Sequence, residues 1–181
     1  MKNILILCFL FVAGTVSAQK YFTKTGETDF KASVEAFEPV EAKSNSTTVI
    51  LNTSSGDIAA LLFIKSFHFK VALMEEHFNE NYMDSDKFPK ATFKGKVADF
   101  DMSALSSTAK EYNLSGTLTV RGKTKEITTT AMISKDGDKV IIQSKFSVKP
   151  QDFGIDIPSI VRNKIAKEIN ITLNYELVEK K

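Results

Sequence analysis

Apolar and polar side chains alternate strictly near the end of the chain. Over residues 169–177, single polar residues separate the apolar residues Ile169, Ile171, Leu173, Tyr175 and Leu177. Because successive side chains of a β-strand point to opposite faces, this pattern predicts a strand with one apolar and one polar face. A chain built from such strands has to bury the apolar face of a sheet.

The same alternation covers most of the chain after residue 19. A hairpin is predicted to turn at Gly26, and two further hairpin turns are predicted at residues 54–57 (SSGD) and 135–138 (KDGD). The predicted strands are residues 20–25, 28–34, 47–53, 58–67, 91–100, 114–121, 125–134, 140–148 and 169–177.

A helical pattern interrupts the strands within residues 67–95. Spacings of three and four residues separate the members of an apolar stripe, which are Leu73, Met74, His77, Phe78 and Tyr82. This spacing predicts one short amphipathic helix. Asp84, Ser85, Asp86 and Pro89 are expected to end it, since Asp and Ser side chains compete for backbone groups and proline lacks an N–H.

An antiparallel sheet of about eight such strands buries its apolar side against a second sheet in a sandwich, or against itself in a barrel. The alternation alone fits both. The spare helix favours the barrel, whose interior at about eight strands is filled by side chains or holds one small ligand. The helix would then be a lid over a cavity or the cap of a solid core.

The first eighteen residues have the pattern of a secretory signal peptide. Lys2 is followed by an apolar run at residues 4–14 and by small residues at 16–18. The run is shorter than the ~20 residues that a membrane-spanning helix needs. We therefore expect cleavage after residue 18, a periplasmic or secreted protein without a stable membrane anchor, and one domain at residues 19–181. Cys8, the only cysteine, would be removed, so no disulfide is expected.

Charge and motifs argue against several classes of function. The 24 Lys and Arg against 22 Asp and Glu leave a formal net charge of +2, which does not favour nucleic acid as a partner. His68 and His77, the only histidines, have no partner at the helical spacing of metal ligands, so no metal is expected. There is no Gly-x-Ser-x-Gly, phosphate-binding glycine loop or HExxH, and we expect neither catalysis nor a catalytic cofactor.

Three stretches of the sequence resemble the YceI-like family. Residues 73–82 (LMEEHFNENY) followed by residues 88–95 (FPKATFKG) are similar to its helix-to-strand signature. Residues 116–125 (GTLTVRGKTK) resemble its Gly-x-Leu-Thr strand and turn, and residues 152–158 (DFGIDIP) resemble its C-terminal loop. The resemblance implies a lipocalin-like antiparallel β-barrel, exported in bacteria, with an apolar tunnel for an isoprenoid chain such as a polyprenyl phosphate or a quinone tail.

The resulting hypothesis is a non-catalytic protein that carries or sequesters an isoprenoid-type lipid in the cell envelope. Many family members have histidine where this chain has Arg121, and Arg121 and His77 are our candidates for contacts with the lipid head group. Arg162, Lys164 and Lys167 form a basic cluster, interpreted as solvated surface or as a guide for an anionic head group.

The candidates for the tunnel lining are Phe67, Phe69, Leu73, Met74, Phe78, Tyr82, Phe93, Leu118, Val120, Ile142, Phe146 and Phe153. The alternative is an interaction or stress-protection module whose barrel is filled by its own side chains. A homodimer is left open.

Overall fold

The computed structural model describes residues 19–34 and 37–180. The predicted signal peptide at residues 1–18, with Cys8, lies outside the described residues.

Eight of the strands in the described residues close into an antiparallel barrel. The strands are β1 Lys20–Ser33, β2 Glu41–Asn52, β3 Asp57–Phe63, β4 His68–Phe69, β5 Lys90–Val97, β6 Lys110–Val120, β7 Lys123–Asp136, β8 Lys139–Val148 and β9 Ile165–Glu179. The two-residue strand β4 pairs only with β2 and is not one of the eight. Each of the eight pairs with the barrel strands before and after it, and β1 pairs with both β2 and β9, so the sheet closes on itself. The predicted barrel is confirmed, and a two-sheet sandwich is excluded.

The predicted hairpin at Gly26 is wrong, because β1 runs through this residue as one strand of 14 residues. Gly26 instead marks shifts in the pairing of β1 with β2. A Cβ atom at Gly26 would lie 2.6 Å from Cδ1 of Tyr175 and 3.0 Å from the carbonyl oxygen of Thr47. Glycine is therefore required here for the close approach of neighbouring strands, which is its usual role inside a strand.

The two ends of the barrel differ. At the closed end lie the turns after β2 and β7 and the connection at residues 98–109, whose Phe100, Met102 and Leu105 pack against the core. The core at this end is solid and includes Leu51, Ile133, Val140 and Leu177 among its fully buried side chains. The open end carries the connections after β1, β3, β6 and β8.

The helix lies at the open end. Helix α1 covers Ala72–His77 and continues as a wider, π-helical turn over Phe78–Met83. It ends at Asp84, whose backbone is left-handed with φ of 48°. The predicted short helix is confirmed. Within residues 19–34 and 37–180, no helix is long and apolar enough to cross a membrane.

Candidate functional site

A cavity of about 400 Å³ occupies the barrel between the solid core and the open end. Inward-facing residues from all eight barrel strands line it. Along β6, the inward side chain of Leu114 is buried, whereas Leu118 and Val120 are only half-buried. The interior therefore changes from packed core to open space towards the open end.

Four phenylalanine rings attach the helix to the barrel. Phe30 of β1 has its ring centroid 5.1 Å from Phe67, 5.5 Å from Phe69 and 5.2 Å from Phe78. Phe78 in turn contacts Phe67 and Phe69. Aromatic pairs at such distances contribute about 0.5–1.5 kcal/mol each beyond the area they bury. All four rings also line the cavity, so the helical segment is one of its walls.

The cavity reaches solvent at the open end. His77 of α1 and Lys164, in the connection before β9, both line the cavity and are exposed. Within the described part of the chain, the lining contains no other ionisable residue except tyrosines. Positive charge at this site is therefore restricted to the mouth.

Polar groups also occur at the opposite, inner side of the cavity. The hydroxyl oxygen of Thr28 lies 2.8 Å from that of Thr47 and 3.1 Å from that of Tyr175. All three residues are buried and line the cavity. Burial raises the pKa of Tyr175 to about 12, against the opposite effect of the neighbouring Thr28 and Thr47 hydroxyls. The phenol is therefore neutral at physiological pH.

Eleven of the twelve predicted lining residues face the cavity; the exception is Leu73. Leu73 is 57% exposed and is not part of the lining, which corrects our prediction. It lies about 100° around the helix from Met74, at 3.6 residues per turn. Met74 and Phe78 face inwards. Whether the lining residues hold a ligand stays a prediction.

Of the two candidates for head-group contacts, His77 lies at the mouth and Arg121 lies outside the lining. Arg121 has a φ of 48° and forms a tight turn with Gly122, whose φ is 71°. Its guanidinium donates a hydrogen bond to the carbonyl of Gly154 and lies 6.0 Å from the ring centroid of Phe88. The position of Arg121 is thus explained by contacts within the protein.

The three stretches that carry the family resemblance meet at this turn. Phe88 belongs to the first, Gly122 to the second and Gly154 to the third. A Cβ atom at Gly122 would lie 2.8 Å from Cε1 of Phe88, so glycine leaves room for the ring. Lys125 and Asp152 form an ion pair of 3.5 Å beside it. This cluster connects the β6–β7 turn to the segments that precede β5 and β9.

The sequence pattern did not mark Thr28 and Thr47 as site residues, and it predicted Tyr175 only as an inward strand residue. No motif marks them. One sequence feature could have marked such a residue: a polar side chain at an inward strand position next to an apolar inward one, as Thr28 is beside Phe30. Lys164 was assigned to the basic cluster, but its place at the mouth depends on the fold of the β8–β9 connection.

The helix surface away from the cavity is acidic. Glu75 accepts a hydrogen bond from the backbone N–H of Phe69 and lies 3.6 Å from the imidazole of His68. These contacts hold α1 against β4. Among the described residues, no three His, Cys, Asp or Glu side chains come together as a metal site.

A closed eight-stranded barrel with an apolar cavity and a helical wall at its open end defines a lipocalin-like barrel protein. The chain belongs to the YceI-like family, since the YceI-like domain matches residues 13–177. No curated protein sequence matches the chain.

Solved structures with a similar fold are distant in sequence. A polyisoprenoid binding domain from Saccharophagus degradans, implicated in plant cell wall breakdown, has a TM-score of 0.74 at 12% identity, over 91% of this chain and 100% of that chain. BcnA of Burkholderia cenocepacia has a TM-score of 0.68 at 18% identity, over 84% and 96% of the two chains. The Campylobacter jejuni YCEI protein has a TM-score of 0.58 at 21% identity, over 75% and 81%. At these identities the comparisons show the fold.

Proposed function

We propose that this protein binds an isoprenoid-type lipid inside its barrel and sequesters or transports it in the cell envelope. The observation that carries the proposal is the apolar cavity of about 400 Å³. Pockets of roughly 300–1,000 Å³ are typical of sites for small molecules and cofactors. A polyprenyl phosphate or a quinone has an apolar chain that suits this lining.

The binding energy would come from burial of that chain. Transfer of apolar surface from water contributes roughly 25 cal/mol per Å², so 100 Å² of buried chain contributes about 2.5 kcal/mol. Such binding needs few polar contacts, and the length and shape of the chain would set the preference. Met74 beside the aromatic rings suits this role, because methionine adapts to irregular apolar surfaces.

The comparison with the Saccharophagus degradans domain supports the same class of ligand, because that protein is described as polyisoprenoid binding. A location in the periplasm or outside the cell rests on the predicted signal peptide at residues 1–18. The competing interaction or stress-protection module requires a self-filled barrel, and the open cavity speaks against that requirement. A non-catalytic role stays a prediction.

The first test is extraction of the purified protein with organic solvent, followed by mass spectrometry and by titration with menaquinone and polyprenyl phosphate. We expect a co-purified lipid or saturable binding of at least one added lipid. If the wild type shows neither a co-purified lipid nor saturable binding of an added lipid, the proposal is rejected.

A matched pair of variants on β6 locates the binding site. Leu118 faces the cavity, whereas Ser115 is exposed on the outer surface of the same strand. Leu118→Trp should fill the space and abolish binding, and Ser115→Trp should leave binding unchanged. Equal binding by both variants would place the lipid elsewhere.

A further inference from the structure

The hydroxyl groups of Thr28, Thr47 and Tyr175 form a cluster, which we call the hydroxyl floor, at the inner side of a mainly apolar cavity. The three residues come from β1, β2 and β9, which are neighbours in the closed barrel. The lining around them is mainly apolar and includes Ile58, Leu114, Ile142 and Leu173. Ser144 also lines the cavity, but its hydroxyl already donates to the backbone carbonyl of Thr130.

The hydrogen bonds within the floor do not use all the donors and acceptors of its three hydroxyl groups. Each hydroxyl carries one hydrogen and two acceptor lone pairs. The floor has two internal hydrogen bonds, both to the Thr28 oxygen, and these three hydroxyls make no other hydrogen bond to the described residues. Two bonds use two of the three hydrogens, and within the floor the third hydrogen has only the looser contact between the Thr47 and Tyr175 hydroxyls, which also acts on the Tyr175 pKa. A buried donor with so weak a partner is costly, and a better-placed acceptor inside the cavity would remove this cost.

We propose that the hydroxyl floor recognises a neutral oxygen acceptor, such as a ketone or quinone carbonyl, on the end of the lipid that enters the barrel first. This inference rests on the proposed function, because it specifies which lipid the cavity takes and in which direction.

The surroundings of the floor favour a neutral group over a phosphate. Lys164 and His77, which could balance an anion, lie at the mouth and not at the floor. A charged phosphate at the inner end would be buried without a counter-ion, which costs far more than burial of a carbonyl that accepts a hydrogen bond. The high pKa of Tyr175 keeps its phenol protonated and able to donate.

The test compares two ligands of equal chain length, 2-heptadecanone and heptadecane, delivered from cyclodextrin and measured by displacement of a fluorescent apolar probe. We expect the wild type to bind the ketone about 3- to 10-fold more tightly, the range expected for one net hydrogen bond. Tyr175→Phe and Thr28→Val should remove this preference.

The matched control is Tyr112→Phe. The Tyr112 hydroxyl is also buried but has no hydrogen-bond partner among the described residues and does not line the cavity, so the preference for the ketone should persist. Equal binding of the two ligands by the wild type, or a preference that survives both floor substitutions, would overturn the inference and leave the proposed function standing. If neither ligand displaces the probe, apolar binding itself is rejected, and both proposals with it.

A second measurement does not depend on the folding of variants. The infrared stretch of a ¹³C-labelled ketone carbonyl should move to lower frequency when the wild type binds it, because a hydrogen bond weakens the carbonyl bond. If the bound ketone absorbs at the same frequency as it does in an apolar solvent, contact with the floor is contradicted.

Discussion

The ring of Phe93 lies over Gly116 of the neighbouring strand. A Cβ atom at Gly116 would be 2.8 Å from Cζ of Phe93, and one at Gly95, which pairs with Gly116, would be 2.5 Å from the same atom. Both distances are well below ordinary contact between carbon atoms. The two glycines thus let the Phe93 ring extend along the barrel wall, which leaves the centre of the barrel open.

Gly116→Ala should therefore destabilise the protein. The added methyl group would meet the ring of Phe93 and also the backbone of Lys94 and Gly95, so relief requires movement of β5. Overpacking of this kind costs about 1–3 kcal/mol. Urea denaturation measures the loss. Ser115→Ala, at an exposed position of the same strand, is the control and should change stability by less than about 0.5 kcal/mol. A Gly116→Ala variant as stable as the control would show that the wall is not tightly packed.

Phe78→Ala should loosen the helical wall. The Phe78 ring contacts Phe30, Phe67 and Phe69 and is half-buried, so its loss should cost about 2–4 kcal/mol, somewhat less than for a fully buried ring. Hydrogen exchange of the amides at residues 72–83 should accelerate. Phe63→Ala, which removes a half-exposed ring at the same end of the barrel, should have little effect on those amides. Unchanged exchange in Phe78→Ala would mean that other contacts hold the helix.

Arg121→Ala tests whether this residue has a structural role. Loss of the hydrogen bond to the Gly154 carbonyl and of the contact with Phe88 should cost about 1–2 kcal/mol. Because Arg121 lies outside the cavity lining, the affinity for an uncharged lipid should stay the same. Thermal denaturation and lipid titration measure the two quantities. Unchanged stability together with weakened binding would instead indicate that Arg121 contacts the ligand.

Stability should fall at alkaline pH because of Tyr175. Its pKa is raised from 10.0 to about 12 in the folded protein, so the unfolded chain loses this proton first as the pH rises. The contribution of the neutral phenol is complete below pH 10 and is lost as the pH rises to about 12. A difference of two pKa units corresponds to about 2.7 kcal/mol.

Urea denaturation of the wild type and Tyr175→Phe across this pH range isolates the effect, because the other titrating groups are common to both. The wild type should lose more stability than the variant. Parallel curves would contradict the burial of the Tyr175 hydroxyl.

Most of the candidate lining followed from alternation and helical spacing, since an inward residue of a barrel strand is apolar whether or not a cavity lies beside it. Leu73 and Arg121 show the limit of that reasoning. Leu73 belongs to the apolar stripe but lies at its exposed edge, where the barrel does not reach. Arg121 follows an inward strand residue, but the left-handed turn directs it to Gly154 and away from the cavity.

The sequence by itself determined most of the strands, the short helix and most of the turns, because these depend on residues close together along the chain. Only the tertiary structure decided that β1 closes on β2 and β9, that Gly95 and Gly116 stand side by side under Phe93, and that Thr28, Thr47 and Tyr175 meet at one floor. The physical reason is that period-two alternation specifies the face on which a side chain lies. The space left inside depends on the volumes of side chains from eight different strands, which meet only when the barrel closes.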